Sequence, residues 1–182
     1  IRHQASGTFV NTTRKLTSVG TITGVRVCPV VTAGVTTFWI IAADNGANTI
    51  RGYRVDTTGA LLSNTGFLAG MYTALPRFDA VTINNQIYIV AMALVNGVPT
   101  VHCRSDAGVL VANDATADAD ITTAKTGFAI SGATGESIIV AYSGEVAGIP
   151  YIRYRVLSTG LVVSGTYSIA TERGSKITLQ RV

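Results

Sequence analysis

Charge is the first scarcity in this chain. Only 13% of its 182 residues are Asp, Glu, Lys or Arg, about half the share of an ordinary soluble domain. Intrinsic disorder is excluded on that ground, because disordered chains are rich in charge and poor in apolar groups, whereas 47% of this one is hydrophobic. The 14 basic and 10 acidic residues leave a net charge of +4. The densest basic groups are Arg14-Lys15 and the Arg153/Arg155 alternation. Nucleic-acid binding needs basic residues gathered on one face, so no nucleic-acid partner is expected.

Cysteine is nearly absent too. Cys28 and Cys103 both sit in apolar, strand-like runs. Two cysteines do not make a disulfide framework. They are expected as small buried hydrophobes, with a single bridge as the alternative. No apolar run reaches the ~18 residues of a membrane span, and no charged start precedes an apolar segment, so no signal peptide is visible. The chain starts at Ile1 rather than at Met, which fits a processed product or a piece of something longer. Glu, Lys, Gln and Met are few; Thr, Val, Ala, Gly and Ile dominate. That balance favours strands and turns.

What the chain does have is repetition. Residues 53–63 read YRVDTTGALLS and residues 154–164 read YRVLSTGLVVS. Six of these eleven positions are identical. Aligned on this glycine, Gly7, Gly59, Gly108 and Gly160 recur every fifty residues or so, a period that signals a repeat architecture. A strongly apolar run precedes three of them: Phe38–Ala43, Ile87–Met92 and Ser137–Tyr142.

Each repeat reads as four strands. The first is moderately apolar (Val25–Val31, Phe78–Ile83, Phe128–Ser131). The second is the apolar run, which suits a strand buried on both faces. The third alternates, as in Ile50–Val55 and Tyr151–Val156, and is expected to keep one face wet. Its arginines (Arg51, Arg54, Arg104, Arg153, Arg155) point to solvent or to an inter-blade contact, the wet face being the plainer assignment. The fourth follows the glycine, which is expected to hold a positive φ in the tight turn. The middle repeat keeps the glycine but replaces YRV by His102-Cys103-Arg104. His102 stands where the other repeats have Tyr53 and Tyr154, which suggests packing.

Four strands per ~50 residues is the form of a β-propeller blade, close to the kelch period. The unit resembles blades of bacteriophage tail or virion proteins and of bacterial surface proteins, in which an apolar strand precedes an RVDxxGxxL-like strand and turn. The matching residues here are Arg54–Leu61. The expected fold is all-β: a partial β-propeller with three four-stranded antiparallel blades at about 21–70, 71–120 and 121–171, and incomplete blades at 1–20 and 172–182. Propellers usually have four to eight blades. Either a longer chain or several copies would then complete the ring, an open stack of sheets being the third option.

Catalytic chemistry is hard to find. No two carboxylates pair by spacing as a glycosidase requires. Arg104–Val111 keeps the Asp-x-Gly of a sialidase Asp-box but has Arg for Ser and Val for the aromatic; an ordinary turn is expected. GxSxG, HExxH and GxxxxGK motifs are absent. Asp114, Asp118 and Asp120 lie in one acidic stretch whose oxygens suit calcium, although the EF-hand pattern is missing and a solvated inter-blade loop is the plainer assignment. Trp39, Tyr88 and Tyr142 fall in the most apolar strands and are assigned to the core. Tyr72, Tyr151 and Tyr167 fall near strand ends or loops and are the candidate ligand-binding aromatics.

The expectation is a non-catalytic structural or adhesion module without a cofactor. It would dock other protein subunits of a larger assembly, or a cell-surface glycan, on a virion or at the cell surface. The alternatives are a lectin-like carbohydrate-binding propeller and a fragment of a propeller glycosidase or sialidase.

Overall fold

The computed structural model describes residues 2–3, 9–10, 22–44, 49–69, 78–92, 99–114, 123–133, 137–146 and 149–170. The elements are all strands. A two-stranded ladder pairs β1 (Arg2–His3) with β2 (Phe9–Val10). Three four-stranded antiparallel sheets follow. Blade 1 is β3 (Ile22–Thr32), β4 (Val35–Asp44), β5 (Thr49–Val55) and β6 (Leu61–Ala69). Blade 2 is β7 (Phe78–Ile83), β8 (Gln86–Met92), β9 (Pro99–Arg104) and β10 (Leu110–Asp114). Blade 3 is β11 (Thr123–Ala133), β12 (Ser137–Val146), β13 (Ile149–Ser158) and β14 (Val163–Ala170). Within each sheet the strands lie in chain order. Among the described residues no helix is long and apolar enough to cross a membrane.

These are the four-stranded units expected from the repeat, and the molecule is a partial β-propeller. The first strands come together between blades: β7 lies against β3 on one side and β11 on the other. Each blade therefore has a rear face toward its predecessor and a forward face toward its successor. Strand alternation sorts side chains between them. In β8, Ile87 and Ile89 point rearward into a core shared with Trp39, Ile41 and Ile50 of blade 1. Tyr88 and Val90 point forward into a second core with Ile138, Val140 and Tyr142 of blade 3. The unbroken apolar runs follow from this: a middle blade is buried on both sides, so its second strand has no wet face.

Two expectations are corrected here. The first concerns the repeated glycine. In the turns between third and fourth strands, Gly59 donates to the Asp56 carbonyl, Gly108 to that of Ser105, and Leu161 to that of Ser158. The residues with positive φ are Gly59 (84°), Gly108 (82°) and Leu161 (63°). Leu161, rather than Gly160, is thus the structural counterpart of Gly59, and the third repeat is displaced by one residue from the sequence alignment. The ladders agree: Tyr53 lies opposite Ile40, His102 opposite Ile89 and Arg155 opposite Val140. Arg155 holds the place of Tyr53, and Tyr154 has moved to the other face. Gly7 lies outside the described residues.

The second correction concerns the third-strand arginines, none of which is exposed. Arg54 donates to the hydroxyls of Thr37 at 3.0 Å and Thr32 at 2.9 Å. Arg51 lies 3.9 Å from the buried Asp44 carboxylate. Arg104 is buried, with its guanidinium 4.8 Å from the centre of the Phe67 ring of blade 1. The Arg104 head thus finds an aromatic face of the neighbouring blade, while the Arg54 and Arg51 heads lie beside oxygens of their own blade.

Both cysteines are free and buried. Burial pushes the Cys28 thiol up to about 11 and raises that of Cys103. Trp39, Tyr88 and Tyr142 are buried as expected.

Candidate functional site

The chemistry of this molecule is concentrated at its blade junctions and on its rim. At the first junction, the Trp39 indole N–H donates across to the Asp106 carbonyl at 2.9 Å. Asp106 in turn accepts the Thr32 hydroxyl at 2.7 Å. The turn that carries Asp106 can approach so closely because of Gly108: a Cβ there would lie 2.9 Å from the Trp39 ring. Phe67 packs against the same indole, with ring centres 4.9 Å apart. At the second junction, the Tyr88 hydroxyl lies 2.9 Å from the Thr159 carbonyl and 2.7 Å from Gln86 Oε1. Counted from the turn, Thr159 is the counterpart of Asp106. One arrangement is thus used twice: an aromatic donor of the second strand reaches the turn of the following blade.

The first strands carry a polar relay. Asp79 of β7 accepts from Arg26 of β3 and, through its other oxygen, from the Ile130 amide of β11 at 3.1 Å. One carboxylate joins all three blades. Asn85 adds a two-way clamp on Val31, its amide accepting and donating at 2.5 Å each.

On the outside, large apolar side chains cluster around the third turn of every blade. Leu61 and Leu62, then Val109, Leu110 and Val111, then Val162 are all about half exposed or more. They sit at equivalent places on or just before the outermost strands, and so form an apolar rim at one end of the propeller. Sequence reading missed this surface, because an apolar run is ordinarily assigned to a core; the signal was position beside an edge strand.

Of the candidate aromatics, Tyr167 is 49% exposed and stacks on Tyr154, with ring centres 4.8 Å apart and planes at 16°. Tyr151 lies at the start of β13, opposite Gly144 and Ala170. Tyr72 lies outside the described residues. Asp114 pairs with Val101 at the end of β10. Asp118 and Asp120 lie outside the described residues. Among the described residues no group of three His, Cys, Asp or Glu is placed to hold a metal. The Asp-box-like segment forms an ordinary turn, Ser105 to Gly108, as expected.

His102 sits between Ile89 and Asn113 on β9. Burial, aided by the charge of Arg104, lowers its pKa to about 4, so the imidazole is neutral near pH 7.

No family model matches the chain, and no curated protein matches it. Among solved structures it is similar to that of the Dos1 propeller, with a TM-score of 0.54 and 14% identity. The likeness covers 87% of this chain and 39% of that one; the chain spans well under half the length of the propeller it resembles. At such identity the likeness shows the fold alone, and the fold it shows is a β-propeller.

Proposed function

We propose that this chain is a non-catalytic structural module, a rigid propeller scaffold that holds other protein subunits in a larger assembly. The observation that carries the reading is the apolar rim. Exposed apolar groups repeated on one edge of a molecule mark an interaction surface, and edge strands offer a partner unpaired backbone groups as well. The two polar latches and the Asp79 relay make the blades a stiff frame for that rim. A bacteriophage tail, a virion or a bacterial surface is the proposed setting. The sparse charge, the Thr/Gly/Ala/Val-rich strands and the resemblance of the blades support it. No cofactor is needed for this role.

Hydroxyl-radical footprinting of the native source material tests it. Residues 61–62 and 109–111 are expected to be labelled in the isolated chain and protected in the assembly. Equal labelling in both would overturn the reading. The pair Leu62→Asp and Val111→Asp, both at exposed positions, is expected to abolish incorporation while the melting temperature stays within about 2 °C, as usual for surface changes.

One observation favours a second reading, a lectin-like binder. Tyr167, stacked on Tyr154 and half exposed, offers a ring face of the kind that packs on sugars. Glycan-array binding lost in Tyr167→Ala would favour it over the scaffold.

A further inference from the structure

Every fourth strand begins with the same irregularity. In β6 the ladder to β5 skips from Leu61, opposite Val55, to Ser63, opposite Arg54, so Leu62 is an extra residue. In β10 the skip runs from Leu110 to Ala112 and leaves out Val111. In β14 it runs from Val163 to Gly165 and leaves out Ser164. Counted from the turn that precedes each strand, the three stand at one place. A bulge re-aims its extra side chain and interrupts the edge of a sheet. On blades 1 and 2 the extra residue is aliphatic and open to solvent, Leu62 at 53% and Val111 at 55%. Blade 3 has a serine there, whose hydroxyl donates back to the Val156 carbonyl at 3.0 Å. The fourth strands are the outermost of their sheets, so their outer edges do not depend on which blades precede or follow.

The surroundings of the two aliphatic knobs are one-signed. Residues 61–69 and 109–113 carry no charged side chain. Residues 56–60, in the turn of blade 1, hold Asp56, and residues 105–109, in the turn of blade 2, hold Asp106; neither turn has Lys or Arg. The Thr58 hydroxyl and the Ala60 amide hold the Asp56 carboxyl below the usual carboxylate range, so it is an anion at neutral pH. The arginines that lead into these turns are engaged elsewhere. Arg54 donates to Thr32 and Thr37, and Arg104 lies on the Phe67 ring and donates to the Gly108 carbonyl.

Two features decide what can cover this surface. The bulges break the row of edge backbone groups that an added strand would need. The knobs also stand on different blades, so an occupant that touches both must cross from one sheet to the next, where no ladder receives its backbone. An extended segment would leave its own N–H and C=O groups unpaired there, whereas a helix pairs them internally. We infer that an amphipathic helix of a partner subunit, apolar along one side and flanked by Lys or Arg, lies across the bulged starts of β6 and β10. The contact rests on the scaffold reading above and gives its partner a chemistry. Blade 3, with Ser164 in place of a knob, stays outside it.

Site-specific photo-cross-linking in the native assembly tests this. A benzophenone side chain at position 62 or 111 is expected to attach to one segment of a partner subunit, at residues three or four apart, with Lys or Arg beside them. A second measurement uses the 182-residue chain and a defined probe, a helical peptide of about 18 residues with a leucine stripe flanked by lysines. Exchanging its lysines for glutamates is expected to weaken binding at least about tenfold. Leu62→Ser and Val111→Ser, which give blades 1 and 2 the bulge residue of blade 3, are each expected to do the same. Cross-links spaced every second residue, cross-links to another copy of this chain, or a peptide indifferent to both serine variants would overturn the helix and leave the scaffold reading standing. No cross-link from either position overturns the helix too, and footprinting of the rim then decides the scaffold reading separately.

Discussion

At the scale of single residues, Leu161 is under conflicting demands. Its φ of 63° belongs to a region that costs an L-residue roughly 1–2 kcal/mol, and the two corresponding turns use glycine. Its side chain is nevertheless buried among Ile138, Leu157 and their neighbours, and burial of a leucine returns ~2–3 kcal/mol. Packing wins, which is why leucine is tolerated. Leu161→Ala and Leu161→Gly are both expected to destabilise, but the order is the unusual one. Glycine sheds the strain that alanine keeps, so Leu161→Gly should unfold at higher urea than Leu161→Ala by an amount equal to about 1 kcal/mol.

His102 supplies the pH dependence at the same scale. Its folded pKa, lowered to about 4, lies below the unfolded value near 6.5. The unfolded chain therefore binds the proton more tightly. The stabilising contribution is complete above pH 6.5 and is lost as pH falls toward 4, on the order of 1–3 kcal/mol in all. Urea midpoints measured from pH 7 to pH 4.5 are expected to fall, and His102→Gln to flatten that fall.

At the scale of elements, the latches decide how blades hold together. Tyr88 is buried and its hydroxyl reaches the Thr159 carbonyl of blade 3. Tyr88→Phe keeps the ring and strands that carbonyl, at a cost of about 1–3 kcal/mol. Amide exchange distinguishes this from general weakening: β13 and β14 are expected to exchange faster, while β4 and β5 keep their protection.

The strands themselves were legible. Continuous apolar runs, alternating runs and breaker-rich turns follow from burial and backbone geometry, which act locally. The one-residue displacement of the third repeat was not legible, because Thr-Gly spells the same dipeptide whichever residue takes the positive φ. The inter-blade contact of Arg104 was the lesser alternative for a related reason: alternation reports that a strand has two environments, but not that one of them is another blade.

For the whole molecule, the fifty-residue period was enough to specify a propeller segment, since a blade cannot bury its apolar faces alone. The site was much less legible. The rim and the relay through Asp79 depend on which residues of different repeats come together. Tyr167 was singled out as lying near a strand end, whereas it stands within β14 and is half exposed there; its stacking on Tyr154 could be known only from the β13–β14 ladder.

The latches all point the same way along the chain, and this gives the molecule a schedule. The Trp39 indole meets its acceptor 67 residues further on, and the Tyr88 hydroxyl meets Thr159 71 residues further on. At roughly 5–20 residues per second of synthesis, each blade leaves the ribosome several seconds before the turn that will satisfy it. Its forward face waits uncovered for that interval. During synthesis the growing chain therefore always carries one unfinished blade, and it is that blade, newest at each moment, that a chaperone would have to shield.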